Sequence, residues 1–129
     1  MRISKNFKSE EFDCQDKNRS KYPLKWIPRL KVLCKDLEVI REACGNKRIK
    51  IISGYRTKAY NKKVGGAKNS QHLYGRAADF KVIGQHAGKT YEIVLGLRRE
   101  GKISKGGLGK YRTFTHFDTR GWFANWSGK

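Results

Sequence analysis

Three side chains spread along the chain constrain its fold more than any apolar pattern does: His72, Asp79 seven positions later, and His116 far downstream. They stand in two short segments, Ser70-Gln71-His72-Leu73-Tyr74-Gly75-Arg76-Ala77-Ala78-Asp79 and Phe114-Thr115-His116-Phe117-Asp118. Two imidazole nitrogens and a carboxylate oxygen are ligand types for Zn²⁺, and a set of three leaves a fourth coordination position open for chemistry. If they share one ion, the fold must bring distant segments together, with Gly75 letting the chain turn between the first two ligands. His116 and Asp118 fall on one face of an extended strand, because side-chain direction repeats every two residues. Asp118 then looks toward the metal region while Phe117 enters the core.

Around these residues the pattern predicts an α+β fold: one compact domain over residues 1–129, with a small antiparallel sheet packed against helices. A chain of 129 residues can bury a core without needing a metal merely to fold. Phe7 and Phe12 anchor an irregular N-terminal lead in which Ser9 caps a turn. From Pro28 to Cys44, Leu30, Leu33, Leu37 and Ile40 recur at helical spacing, and Gly45-Asn46 ends the run. Ile49, Ile51 and Ile52 read as a buried strand that delivers Ser53-Gly54-Tyr55-Arg56 at its end. A helical turn over Tyr60 to Val64, a strand over Ala77 to Val82 and a helix over Thr90 to Arg99 follow. Gly106 to Gly109 is too glycine-rich for a regular element, and it lacks the Lys-Ser or Lys-Thr ending of a phosphate loop. Thr113 to Thr119 reads as a strand, and Trp122, Phe123 and Trp126 as a C-terminal packing cluster.

Composition bears on partners and compartment. The net charge is +19, and it is uneven: residues 1–45 carry 11 basic and 7 acidic side chains, residues 46–129 carry 19 and 4. Such asymmetry suits an anionic partner, whether an acidic wall polymer, nucleic acid or a peptide with free carboxylates. Nucleic acid is the less favoured of these, because no zinc finger, RNP-like segment or clean recognition helix accompanies the charge. No apolar run approaches the roughly 18 residues of a membrane span, and charged residues follow Met1-Arg2-Ile3-Ser4-Lys5 where a signal peptide would place its apolar core. Cytoplasmic synthesis without an evident signal peptide is therefore expected; a removed leader or a lysis-dependent release route to the bacterial cell wall would leave the same sequence. Cys14, Cys34 and Cys44 form no CxxC pair, and free thiols are expected ahead of one disulfide plus one thiol.

Zn²⁺ held by His72, Asp79 and His116 would lower the pKa of its water and polarise a peptide carbonyl. The reaction also needs a base. Asp118 takes that role on facing and proximity, or else orients a ligand histidine or Arg56. Arg56 is suited to receive a substrate carboxylate or a developing oxyanion through paired donors. Ser70 caps the turn, bonds a ligand or meets substrate, while Gln71 and Tyr74 line the cleft as substrate-binding residues. Tyr55 packs beneath the arginine loop, and His86, in a polar loop, stands outside the site.

Taken together, Ser53 to Arg56, Tyr60-Asn61, Val64 to Ala67, Ser70 to Asp79 and His116 to Gly121 resemble the M15 peptidase family, especially its small zinc D-Ala-D-Ala carboxypeptidase-like branch. That resemblance implies a hedgehog/D-Ala-D-Ala-peptidase-like fold, with His72, Asp79 and His116 as zinc ligands and Arg56 as the substrate-positioning arginine. It also implies hydrolysis of amide bonds in bacterial peptidoglycan peptides, by carboxypeptidase or endopeptidase action. Where many relatives place Glu three residues before the last ligand histidine, or His two before it, this chain has Thr113 and Phe114, so Asp118 is the available substitute. The alternative is a noncatalytic zinc-stabilised module that binds cell-wall polymer or another polyanion, with Asp118 buried in a structural pair.

Overall fold

A computed structural model describes all residues, 1–129. Helix α1, Ile27–Ala43, starts with Pro28 in its first turn, where a missing N–H costs nothing. It buries Leu30, Leu33, Cys34, Leu37 and Ile40, the stripe expected from their spacing. Strand β3, Ile49–Ser53, leads to α2, Lys58–Lys63, whose first turn is capped by the Thr57 hydroxyl accepting from the Tyr60 N–H at 3.1 Å. Strand β4 is Ala77–Val82, helix α3 is Ala87–Arg99, and strands β5, β6 and β7 are Gly107–Lys110, Thr115–Asp118 and Ala124–Ser127.

These strands form one sheet in the order β3-β4-β6-β5-β7. The expected antiparallel pairing holds for β3 with β4, β4 with β6 and β5 with β6, whereas β7 lies parallel to β5. The parallel edge has a simple cause. The chain leaves β6 beside the start of β5, crosses it through residues 119–123, and must then run in β5's own direction. The inner face of the sheet, through Ile51, Ala78, Phe80, Val82, Leu108 and Phe117, shares one core of 19 buried residues with α1 and α3. No helix is long and apolar enough to cross a membrane.

Four expectations are corrected. Gly107–Lys110 is a regular strand despite its glycines, because Asp118 and Arg120 fill the space beside Gly107, and Trp126 and Tyr111 the space beside Gly109. Trp122 and Phe123 do not pack: each is 58% exposed, and the guanidiniums of Arg120 and Arg98 lie over their rings at 5.8 and 5.3 Å. The N-terminal lead contains a small antiparallel pair, β1 (Arg2–Ser4) and β2 (Phe7–Lys8). Ser9 is the first residue of the turn after it, not its cap, and the Glu11 carboxylate accepts the Lys8 N–H at 2.7 Å. Phe7 and Phe12 are buried as expected, their rings 6.1 Å apart.

Candidate metal centre

The pairing of β4 with β6 sets Asp79 directly opposite His116. His72 comes from the single turn Gln71–Tyr74 just before β4; the Ser70 hydroxyl caps this turn by accepting the His72 N–H at 3.2 Å. Gly75 ends the turn in the left-handed region at φ 69°. Its carbonyl accepts the Tyr22 hydroxyl at 2.6 Å, which ties the turn to the approach to α1. Three distant side chains thereby meet: one ligand atom each from His72, Asp79 and His116 lies within 4.8 Å of the others. All three residues are buried.

The hydrogen bonds set which nitrogen of each imidazole faces the cluster. His72 Nδ1 donates to the Gly54 carbonyl at 2.6 Å, leaving Nε2 turned to Asp79 Oδ2 at 3.2 Å. His116 uses Nε2 on Asp118 Oδ2 at 2.7 Å, leaving Nδ1 against Asp79 Oδ1 at 2.9 Å. Each ring thus has an outer acceptor for one N–H and presents its other nitrogen inward, the arrangement that orients metal-binding histidines. Two such nitrogens and a carboxylate fit the donor preferences of Zn²⁺.

The two imidazoles differ in charge preference. Burial pushes the His72 imidazole below its ordinary pKa, so it is neutral with a free lone pair. Burial also works against charge on His116, but bonds to Asp118 and Asp79 outweigh it and raise that pKa without a metal present. Burial would raise Asp79, yet the hydrogen bond from His116 leads the effects that outweigh it and hold the carboxyl well below the usual carboxylate range.

Arg56 closes one side. Its Nε donates to Ser53 Oγ, Nη1 to Asn61 Oδ1 and Nη2 to Asp79 Oδ2, each at 3.2 Å. Asn61 is in turn fixed by donating to the Ala67 carbonyl at 2.9 Å. Tyr55 packs edge-on to Tyr22 and Trp26 below this loop, as its sequence position suggested.

Asp118 faces the cluster as strand alternation requires, but it is completely buried. Oδ1 accepts the Gly107 N–H at 2.9 Å and Arg120 Nε at 2.9 Å, while Oδ2 accepts Arg120 Nη2 at 2.8 Å as well as His116. The cleft over the metal cluster, about 680 Å³, is lined by Arg56, Ser70, Gln71, Tyr111, Arg120 and Trp126 among others; Asp118 is not among its lining residues, and the only carboxylate there is Asp79. Tyr74 does not line it either. That side chain faces a neighbouring pocket of about 500 Å³ with Lys58, Lys62 and Lys68. His86 stands at the start of α3, outside the cluster.

Arg120, Tyr111 and Trp126 are site residues that sequence reasoning missed. Trp126 packs on the His116 ring at 4.9 Å and donates its indole N–H to the Tyr111 hydroxyl at 2.8 Å, and Tyr111 stacks on Phe114 at 4.4 Å. Only the position of Arg120, two residues after Asp118, hinted at a clasp.

Residues 5–118 match the family described as Peptidase M15. A zinc D-Ala-D-Ala carboxypeptidase of Streptomyces albus G is 49% identical over 43 residues, 33% of this chain and 17% of that protein. A probable peptidoglycan L,D-endopeptidase, MepK, of Haemophilus influenzae is 37% identical over 90 residues, 64% of this chain and 45% of the relative. The chain thus spans less than half the length of either relative. With the family match running over most of its residues, this chain belongs to the M15 peptidase family.

Proposed function

We propose that residues 1–129 act as one domain, a zinc-dependent peptidase that hydrolyses amide bonds in bacterial peptidoglycan peptides. The observation that carries this reading is the convergence of His72, Asp79 and His116 at one side of an open cleft. These three would hold the ion. When bound, zinc supplies a polarising centre for the scissile carbonyl and an acidified water. Arg56, anchored through Ser53 and Asn61, presents positive charge beside the cluster and would position a substrate carboxylate or stabilise a developing oxyanion. Tyr111, Phe114 and Trp126 line one part of the cleft with aromatic rings, Tyr111 stacked on Phe114. Gln71 and Ser70 line the same cleft and offer polar contacts to a peptide backbone.

Asp118 serves best as the carboxylate that orients His116, since Arg120 and Gly107 occupy its remaining lone pairs. Of the two roles its position suggested, this reading takes the orienting one over the base. The same burial favours the second reading, a noncatalytic metal module that adheres to wall polymer.

One experiment separates the two. Zinc-loaded protein is incubated with defined wall peptides and isolated peptidoglycan, and products are identified by mass beside a chelated sample and H116A. Cleavage lost in both controls is the expected result. Binding to peptidoglycan with no product selects the adhesive module, and cleavage that survives chelation overturns the metal mechanism.

A further inference from the structure

At the start of α3, beside the ends of β4 and β6, lies a second cavity of about 290 Å³. Small-molecule sites begin at roughly 300 Å³. Its wall includes Lys81, His86, Ala87, Arg112, Phe114 and Thr115, and no carboxylate.

Two independent features there call for the same kind of ligand. The 13-residue α3 opens with His86 at its cap position, but no side chain caps it and its first turn carries no acidic residue. The first N–H groups of such a helix lack intrahelical acceptors and lie at the positive end of its dipole. Separately, Thr115 is 1% exposed and its Oγ1 has no hydrogen-bond partner. A buried hydroxyl without a partner is uncommon, and each instance asks for an explanation. Here that hydroxyl belongs to a residue lining a cavity whose wall also includes Ala87 at the start of α3, Lys81 and Arg112.

We propose that this cavity is a binding site for a tetrahedral oxyanion of the phosphate type, separate from the metal cleft. The donors come from three directions: backbone N–H groups of α3, the Thr115 hydroxyl from the sheet, and Lys81 and Arg112 at the mouth. Such a surround matches an anion with several acceptor oxygens better than a planar carboxylate. Phe114 lines both this cavity and the metal cleft, so the two sites share a wall.

The test titrates zinc-loaded, ¹⁵N-labelled protein with sodium sulfate, a tetrahedral oxyanion that does not precipitate zinc, against chloride at matched ionic strength, acetate and methyl phosphate. Saturable amide shifts confined to Ala87, Gly88, Lys89 and Thr115 are expected with sulfate and methyl phosphate. The K81Q/R112Q variant should bind at least about tenfold more weakly, as loss of charge-assisted hydrogen bonds implies. T115V should also bind more weakly, and T115S should retain binding because it keeps the hydroxyl. Shifts that do not saturate, that chloride reproduces, or that survive unchanged in K81Q/R112Q overturn the site. Equal affinity for acetate overturns its tetrahedral selectivity, and failure of methyl phosphate to bind overturns the phosphate class. The K81Q/R112Q result stands alone should T115V not fold. None of these readouts requires hydrolysis, so the inference can fail while the peptidase reading stands, and the reverse.

Discussion

Both oxygens of Asp118 are engaged by donors from His116, Arg120 and Gly107, with the side chain fully buried. Burial alone would raise its pKa, but the bonds from His116 and Arg120 outweigh it and hold the carboxyl below its ordinary range. On the proposed reading, a group so saturated orients its histidine and takes no proton from the cleft. D118N should therefore lower metal affinity or activity about 10–100-fold while leaving the limbs of the pH–rate profile in place. A base at this position would instead cost roughly 10²–10⁴-fold and take one limb away. The facing of Asp118 was legible from strand periodicity. Its clasp by Arg120 was not, because that bond depends on how the backbone turns after β6. Asp36 gives a pH prediction of the opposite sign. Burial pushes its pKa above the ordinary 3.8, against the hydrogen bond from Ser104, and its Oδ2 has no partner. The folded state therefore favours the protonated form: that stability is present below pH 3.8 and lost as pH rises through the raised folded value. D36N should melt above wild type at pH 7, with the advantage shrinking on acidification toward pH 4, as read by thermal denaturation.

At the scale of elements, the stripe Leu30, Leu33, Leu37 and Ile40 made α1 readable from its apolar spacing, and every one of these residues is buried. Leu37→Ala should cost about 2–5 kcal/mol in urea denaturation through the cavity it leaves. Val32→Ala, at a position 47% exposed on the same helix, should stay within about 0.5 kcal/mol. The Gln71–Tyr74 turn was less legible, since Gly75 signalled a bend without saying what it packs against. Its left-handed φ of 69° already disfavours any side chain, and a Cβ there would stand 2.6 Å from the Tyr22 hydroxyl oxygen. Gly75→Ala should destabilise the protein by at least about 1–2 kcal/mol. It should also weaken metal binding, measured by competition with a chelator, because His72 and Asp79 flank the displaced turn. Strand β5 escaped the sequence reading for a related reason: a glycine-rich segment reads as irregular until the partners that fill the missing side-chain volume, here Asp118, Arg120 and Trp126, are in place.

For the molecule as a whole, the net charge of +19 was plain in the sequence, whereas its distribution about the site was not. Lys58, Lys62 and Lys68 gather around the pocket beside the metal cleft, and Lys81 and Arg112 lie at the cavity beside the start of α3. Lys58 and Lys62 share α2, but Lys68, Lys81 and Arg112 come from other segments, so only the folded chain completes these groups. These exposed cations and the charges inside the site should answer differently to salt. Exposed groups act over a Debye length of about 10 Å at 0.1 M salt and are screened beyond it, while buried pairs are screened much less. Arg56 with Asp79, and Arg120 with Asp118, lie at 3.2 and 2.8 Å in largely buried surroundings. Cosedimentation with an anionic cell wall should therefore fall steeply as salt rises from about 0.02 to 0.5 M, as long-range steering requires. Turnover of a short uncharged peptide, measured in the same series, should stay nearly flat. If both fell in parallel, the surface charge would be part of the catalytic site's own electrostatics; if wall binding ignored salt, adhesion would rest on contacts other than this basic surface.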